Sequence, residues 1–185
     1  LLSGGARVVA TTSSYSPAKT KMYRDLYRTW GSAGSKLILA PFNQGSLGDV
    51  DALIEYIYNV LDMDLDVVLP FAAISENGRD LSNLDSRSEL AHRIMLTNLE
   101  RMLGAIKTAK ASRRIETRPA CVVLPLSPNH GAFGNDGLYS ESKIGLEALL
   151  AKCVSEEWGH FVSVVGAIIG WTRGTGLMSS TNLMA

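Results

Sequence analysis

Two residues one helical turn apart, Tyr139 and Lys143, could carry out proton chemistry together. The segment LSPNHGAFGNDGLYSESK (126–143) contains both, together with Ser127 and three glycines. Side chains four residues apart lie on the same face of a helix, so a phenol would sit beside an ammonium group. A free phenol has a pKa of about 10, and a neighbouring positive charge lowers that pKa. Ser127 could then hold a carbonyl oxygen while Tyr139 supplies the proton.

Alternating strands and helices must position these residues. Aliphatic runs predict strands, and they are ARVVATTS (6–13), KLILAPFN (36–43), LDVVLPFAAI (65–74), PACVVLPLS (119–127) and FVSVVGAIIGWT (161–172). Helical patterns lie between them, at 16–34, 46–61, 88–112 and 139–158. Ser16 and Pro17 predict the start of the first helix. The alternation indicates βαβ units and a parallel sheet, whose ligands bind beyond the carboxyl ends of the strands.

The composition and the two free cysteines favour a soluble globular protein of the cytoplasm. Lys+Arg and Asp+Glu both number 18, whereas surfaces that bind nucleic acid or anionic membranes usually carry a basic excess. No apolar run approaches the roughly 20 residues of a membrane span. Cys121 and Cys153 do not have a metal-ligand spacing, and free thiols suit a reducing compartment. We therefore expect no nucleic acid, no membrane and no metal ion as partners.

The order of Ser127, Tyr139 and Lys143 resembles the short-chain dehydrogenase/reductase family, in which a Ser…Tyr-x-x-x-Lys set follows a strand of the sheet. Asn98, on the preceding long helix, matches the asparagine of the family's proton relay. The resemblance implies that these four residues are catalytic and that a nicotinamide cofactor supplies hydride. Alone, the tyrosine and lysine could equally be an exposed helix pair, but further matches along the chain argue against that alternative.

Loops after the predicted strands match the family's cofactor-binding positions. The resemblance implies contacts to the adenosine ribose after the first run, to the adenine after the second, and to the carboxamide after the last. Small residues after the third run replace the usual Asn-Asn-Ala-Gly. The implied cofactor-binding residues are Thr12, Ser13, Ser14, Asn43, Gln44, Phe71, Ala72, Ala73, Thr172 and, once more, Tyr139 and Lys143.

Longer stretches are similar to the ketoacyl reductase domain of type I fatty acid synthases, above all to that of the fungal α subunit. They are PFNQGS, ELAHRIMLTN, ETRPA, LSPNHGAFGNDGLYSESK and GAIIGWTRGTGLMS. These stretches spread over nearly the whole chain, and the long ones are specific. The resemblance implies an oxidoreductase of fatty acid biosynthesis within a multifunctional enzyme.

Two features depart from the family pattern. The glycine-rich phosphate loop and the first strand, expected upstream of Gly4, are missing, so we expect a Rossmann-type doubly wound sheet without its central strand. Two separate half-sheets should result, and residues 1–185 should be a partial domain of a larger chain. Ser14 stands where the synthase pattern has an arginine facing the 2′-phosphate. Ser13, Ser14 and Lys19 could still hold a phosphate. The resemblance implies NADPH as the cofactor, with NADH as the alternative.

The implied reaction is the NADPH-dependent reduction of a 3-ketoacyl thioester to the 3-hydroxyacyl thioester. The implied partners are an acyl carrier protein with a phosphopantetheine-linked chain and the other synthase domains, in a large hetero-oligomer. The alternative is a reductase-like scaffold that keeps the fold without turnover. Loss of Ser127, Tyr139 or Lys143 would have favoured the scaffold, and all three are present.

Overall fold

The computed structural model describes residues 1–170 and residue 172, and within them parallel strands alternate with helices as predicted. The elements are β1 (Arg7–Thr12), α1 (Pro17–Trp30), β2 (Lys36–Pro41), α2 (Leu47–Glu55), β3 (Val67–Val68), α3 (Ser86–His92), α4 (Asn98–Ser112), β4 (Ala120–Leu126), α5 (Tyr139–Ser155) and β5 (Val162–Ile168). Two π-helical turns, Tyr56–Val60 and Arg93–Thr97, extend α2 and join α3 to α4.

The first compact unit, residues 1–43, contains β1, α1 and β2. The two strands pair in parallel over their whole length, from Arg7 beside Lys36 to Thr12 beside Pro41. The predicted start of α1 is confirmed, because the Ser16 hydroxyl accepts a hydrogen bond from the Lys19 backbone N–H. The helix ends at Trp30, and the Gly31 N–H donates to the Tyr27 carbonyl.

The second unit begins at Gln44 and contains a three-stranded parallel sheet in the order β3-β4-β5. The central strand β4 pairs with β5 from Ala120 beside Val162 to Leu126 beside Ile168. In β4, Ala120, Val122 and Leu124 have no exposed surface, while Cys121 and Val123 on the opposite face are half-buried. The strands of the described residues thus form two sheets, β1-β2 and β3-β4-β5, which confirms the predicted half-sheets.

The helices of the second unit bury the apolar faces that the sequence predicts. In α2 and its π-helical turn, the buried side chains are Val50, Leu53, Ile54 and Ile57. In α4, Leu99 and Ile106 have no exposed surface. Among the described helices, none combines the length and the apolar character that crossing a membrane requires.

Candidate active site

Tyr139 and Lys143 lie side by side in the first turns of α5. Lys143 Nζ is 5.3 Å from the centroid of the Tyr139 ring, so an ammonium faces the phenol as predicted from the spacing. Lys143 is only 4% exposed, and burial lowers the pKa of its ammonium from 10.5 to about 8. Among the described residues, neither Lys143 Nζ nor the Tyr139 hydroxyl has a hydrogen-bond partner. Both groups are therefore available to a bound molecule.

The Tyr139 ring rests on a small hydrophobic cluster. Ala91, Ile94 and Met95 form the buried centre of this cluster, and Tyr139 and Ala73 pack against it. The centre comes from α3 and the π-helical turn Arg93–Thr97. The ring position is therefore set by the long helix that also carries Asn98.

Asn98 is fully buried at the point where the π-helical turn passes into α4. Its amide Nδ2 donates to the Gln44 carbonyl at 2.5 Å, and its Oδ1 accepts from Arg101 at 2.8 Å. The Gln44 side chain in turn donates to the Ile94 carbonyl at 2.7 Å, inside the widened turn. Interruptions of this kind in α-helices are frequent at functional sites. The Asn98 side chain is thereby fixed in one orientation.

Gln44, for which the resemblance implies a contact to adenine, forms two hydrogen bonds to the segment that carries Asn98. It is 7% exposed, and its amide nitrogen is engaged by the Ile94 carbonyl. Its backbone carbonyl holds Asn98. The contact between Gln44 and adenine stays a prediction.

Ser127 directly follows the last residue of β4, at the carboxyl end of the sheet. The side chain is 6% exposed, and its hydroxyl oxygen accepts a hydrogen bond from the Asn129 N–H at 3.1 Å. This contact leaves the hydroxyl proton free to be donated to a substrate oxygen. The next segment returns to α5, so Ser127 and Tyr139 stand at the two ends of one loop.

The remaining predicted cofactor-binding residues of the second unit lie in loops after strands. Phe71 and Ala72 are exposed after β3, while Ala73 is half-buried against the Tyr139 cluster. Thr172, after β5, is exposed, and its hydroxyl donates to the Gly170 carbonyl at 3.3 Å. Ala72 and Thr172 are both small and exposed, which suits the close approach of a cofactor that the resemblance implies.

In the first unit, a hydroxyl cluster with one cation follows β1. Lys19 Nζ donates to the Ser14 hydroxyl at 2.8 Å and to the Thr12 hydroxyl at 3.3 Å. Thr12 is buried, and Ser13 and Ser14 are exposed. Asn43, at the end of this unit, is exposed as well. An ammonium among hydroxyls is a donor set that fits a phosphate group.

Asp136 organises the loop between Ser127 and Tyr139, although no pattern in the sequence singled it out. Its carboxylate accepts from Asn129 Nδ2 at 2.9 Å and from the Ser140 N–H at 3.2 Å. Its carbonyl accepts from the Tyr139 N–H at 3.0 Å. The signal that could have revealed it is an aspartate just before a helix, a common position for capping side chains.

The Glu76 side chain packs directly against Gly137. We therefore expect replacement of Gly137 by alanine to disrupt the loop before Tyr139. Gly137 has φ +59°, and an added Cβ would lie 2.5 Å from Glu76 Oε2. The left-handed backbone alone should lower the free energy of unfolding by about 1–3 kcal/mol. The contact with the buried carboxylate should add about 1–3 kcal/mol more. Hydrogen exchange of peptides from residues 127–143 in the full-length protein measures the loss.

Gly134→Ala is the matched control for this prediction. Gly134 has a similar φ of +63°, but no atom lies within 4 Å of a Cβ added there. It should therefore show the backbone cost without the contact cost. Equal losses in the two variants would contradict the role of Glu76.

Comparisons with known proteins were made by sequence and by structure. No protein-family model matches the chain. The α subunit of fatty acid synthase from Penicillium patulum is 60% identical over 188 residues, which cover 100% of this chain and 10% of that protein. The α subunit from Schizosaccharomyces pombe shows the same identity and coverage, and that from Saccharomyces cerevisiae is 57% identical over 190 residues. The chain thus spans about 10% of the length of the curated relatives it matches.

Solved structures share the fold at low sequence identity. A metagenomic short-chain oxidoreductase in complex with NADP has a TM-score of 0.74 at 20% identity, covering 92% of this chain and 73% of that chain. A short-chain dehydrogenase/reductase from Burkholderia xenovorans has a TM-score of 0.74 at 16% identity, covering 96% and 66%. The NADH-dependent reductase A1-R′ complexed with NAD has a TM-score of 0.72 at 15% identity, covering 93% and 71%. These likenesses confirm the Rossmann-type α/β fold.

Proposed function

Because the chain is homologous along its whole length to a segment of fungal fatty acid synthase α subunits and has the fold of short-chain dehydrogenases/reductases, we propose that it is the ketoacyl reductase part of such a synthase. The substrate is a 3-ketoacyl thioester, and the product is the 3-hydroxyacyl thioester. Residues 1–185 belong to one reductase domain of a larger cytoplasmic, multifunctional enzyme.

The observation that carries this proposal is the pairing of Tyr139 with the buried ammonium of Lys143. Lys143 Nζ lies 5.3 Å from the ring centroid and has no other partner among the described residues. Its charge stabilises the phenolate that forms when Tyr139 donates its proton. Tyr139 is thus suited to protonate a substrate oxygen, which is the half of a ketone reduction that the protein itself must perform.

Ser127 and Asn98 support this proton transfer in different ways. Ser127 holds the substrate carbonyl by donating its hydroxyl proton, because its oxygen already accepts from Asn129. Asn98 holds a relay water near the lysine, and its side chain is fixed by Gln44 and Arg101. When bound, a nicotinamide supplies the hydride that attacks the ketone carbon. One hydride and one proton convert the ketone to the alcohol.

The relatives and structural neighbours support the proposed cofactor and partners. One structural neighbour was solved with NADP and another with NAD. We assign NADPH to this chain, with NADH as the alternative, because Lys19 and the hydroxyls around it suit a 2′-phosphate. The residues that would hold the cofactor are those that the resemblance implies, Gln44 included. The substrate arrives on the phosphopantetheine arm of a carrier protein, within a large hetero-oligomeric synthase.

We expect Lys19→Met to weaken the use of NADPH without weakening that of NADH. Lys19 supplies the cation of the hydroxyl cluster after β1, and only NADPH carries the phosphate that needs it. Loss of one charge-assisted hydrogen bond should raise the KM for NADPH by about 10- to 100-fold. The measurement is a steady-state comparison of both cofactors with the full-length protein.

Lys21→Met is the matched control, since Lys21 is an exposed lysine on the same helix. It should leave both KM values within about twofold of wild type. If Lys19→Met raises the KM for NADH as much as that for NADPH, the phosphate assignment is wrong.

The proposed function is tested by following NADPH consumption with an acetoacetyl thioester as substrate. The full-length protein that carries this chain should form the 3-hydroxyacyl thioester. A folded protein that binds NADPH but never turns over would support the scaffold alternative instead.

A further inference from the structure

The segment after β3 is tied to the loop before Tyr139 by backbone pairing. The Gly78 N–H donates to the Asn135 carbonyl at 2.8 Å, and the Gly137 N–H donates to the Arg79 carbonyl at 3.0 Å. Arg79 and Asp136 form a parallel bridge between the two segments. This short connection ends two residues before Tyr139, so it fixes where α5 begins.

The Arg79 side chain reaches in a second direction, to the start of α3. Its guanidinium NH1 lies 2.6 Å from Asp85 Oδ1 and 3.5 Å from the Ser88 hydroxyl. Its Nε is 3.6 Å from Glu76 Oε1. Asp85 is the N-cap of α3 and accepts from the backbone N–H groups of the first helical turn. The position of α3 is therefore coupled to Arg79.

Arg79 contacts both parts of the structure that position Tyr139, which are the backbone before it and the helix α3 under its ring. The Arg79 carbonyl accepts from the Gly137 N–H, next to Asp136, whose own carbonyl accepts from the Tyr139 N–H. The Arg79 side chain holds α3, which contributes Ala91 to the cluster under the Tyr139 ring. A displacement of Arg79 would therefore move the backbone and the ring of the proton donor together.

Asp136 is also connected to Ser127, through Asn129. Its carboxylate binds the Asn129 side chain, and the Asn129 N–H donates to the Ser127 hydroxyl oxygen. Asp136 thus connects the two ends of this loop, and it lies opposite Arg79 in the backbone bridge between the two segments.

The buried carboxylate of Glu76 holds the Arg79 guanidinium in position. The Glu76 side chain is fully buried, and within the described part of the chain neither of its carboxylate oxygens accepts a hydrogen bond. Such a carboxylate is expensive to bury unless a countercharge is near, and Arg79 is the cation beside it. Such a pair contributes little to the free energy of folding, which favours a functional role for it.

We propose that Arg79, held by Glu76 and Asp85, is a positioning residue that sets Tyr139 and Ser127 for proton transfer to the ketone. The proposal rests on the proposed reductase function. Arg79 does not touch the reacting atoms; it acts through the Asp136 segment and through α3.

The test uses the double variant Glu76→Gln/Arg79→Met in the full-length protein. This variant removes the arginine without leaving the buried carboxylate unpaired, so we expect it to fold. A displaced proton donor should lower kcat by about 10- to 100-fold, while the KM for NADPH stays within about twofold. The solvent isotope effect on kcat should rise because proton transfer becomes slower relative to the other steps. A smaller folded fraction would lower kcat without changing the isotope effect.

Arg118→Met is the matched control. Arg118 forms an exposed ion pair with Asp66, and its loss should leave kcat and the isotope effect unchanged. If the double variant equals this control, the positioning role is overturned while the reductase function stands. If the wild type itself does not reduce the thioester, the proposed function fails instead.

If the double variant does not fold, Asp85→Asn tests the positioning role of Arg79. Asparagine can still cap α3, so this change removes only the charge that faces Arg79. We expect kcat to fall by about 3- to 10-fold with a raised solvent isotope effect. Unchanged values for Asp85→Asn would overturn the proposal.

Discussion

Replacing Tyr139 by phenylalanine should abolish thioester reduction while NADPH still binds. The substitution removes one oxygen and keeps the ring that packs on Ala91, Ile94 and Met95. Positioned proton donors contribute about 10²- to 10⁴-fold to rate, so kcat should fall by that factor. NADPH consumption with an acetoacetyl thioester measures the rate, and quenching of protein fluorescence by NADPH measures binding.

Tyr56→Phe serves as the matched control for this experiment. Tyr56 is half-buried in the π-helical turn after α2, and among the described residues its hydroxyl has no hydrogen-bond partner. The control should keep wild-type kcat and the same thermal stability. Appreciable turnover in Tyr139→Phe would mean that another group supplies the proton, and the assignment of Tyr139 would be wrong.

Most of the fold was predictable because local patterns and long-range packing agree. The five aliphatic runs became strands, and the helical spacing of Val50, Leu53 and Ile54 predicted a face that is buried. Ser16 and Pro17 determined the start of α1 through capping, which depends on neighbouring residues only. Structural features that depend only on residues close in sequence, such as helix caps, can be predicted directly from the sequence.

The π-helical turn before Asn98 could not be predicted from periodicity. The run from Ser88 to Ser112 has an ordinary helical pattern, yet one widened turn interrupts it at Arg93–Thr97. Its Ile94 carbonyl is satisfied by Gln44, a residue 50 positions earlier in the chain. Only the folded chain brings these groups together, so periodicity could not reveal this hydrogen bond.

The residues proposed for the chemistry could be identified from the sequence, but the residues that position them could not. Ser127, Tyr139 and Lys143 fall within a single segment, and the roles proposed for them follow from their functional groups. Glu76 and Arg79 come from a separate loop, and they meet the segment before Tyr139 through tertiary pairing. A glutamate and an arginine in a polar loop look like solvent-facing residues until their burial is known.

Replacing Lys143 by methionine should stabilise the domain and eliminate reduction at the same time. Lys143 is 4% exposed, and burial lowers its pKa from 10.5 to about 8. Below pH 8 the ammonium is charged in both the folded and the unfolded chain, so the folded state bears the whole desolvation cost, about 3 kcal/mol. Methionine fills the same space without a charge. Activity should fall because the phenolate of Tyr139 loses its stabilising cation.

The pH dependence of this stabilisation has a definite sign. Between pH 8 and 10.5 the unfolded chain binds the proton and the folded chain releases it, so wild-type stability rises with pH. The advantage of Lys143→Met should therefore be largest below pH 8 and should shrink toward pH 10.5. Hydrogen exchange of α5 peptides in the cofactor-free, full-length protein, repeated across this range and corrected for the intrinsic rate, measures the difference.

Lys110→Met should have the opposite effect, which makes it a sharp control. Lys110 is the other buried lysine, but its Nζ donates to Asp64 at 2.6 Å and to the Arg118 carbonyl at 2.7 Å. Its removal leaves a carboxylate without its cation and should destabilise the domain by about 3–5 kcal/mol. A buried lysine with partners contributes to the fold, whereas one without partners among the described residues weakens it. If Lys143→Met destabilised the domain as Lys110→Met does, Lys143 would be a structural residue and its assignment to catalysis would fail.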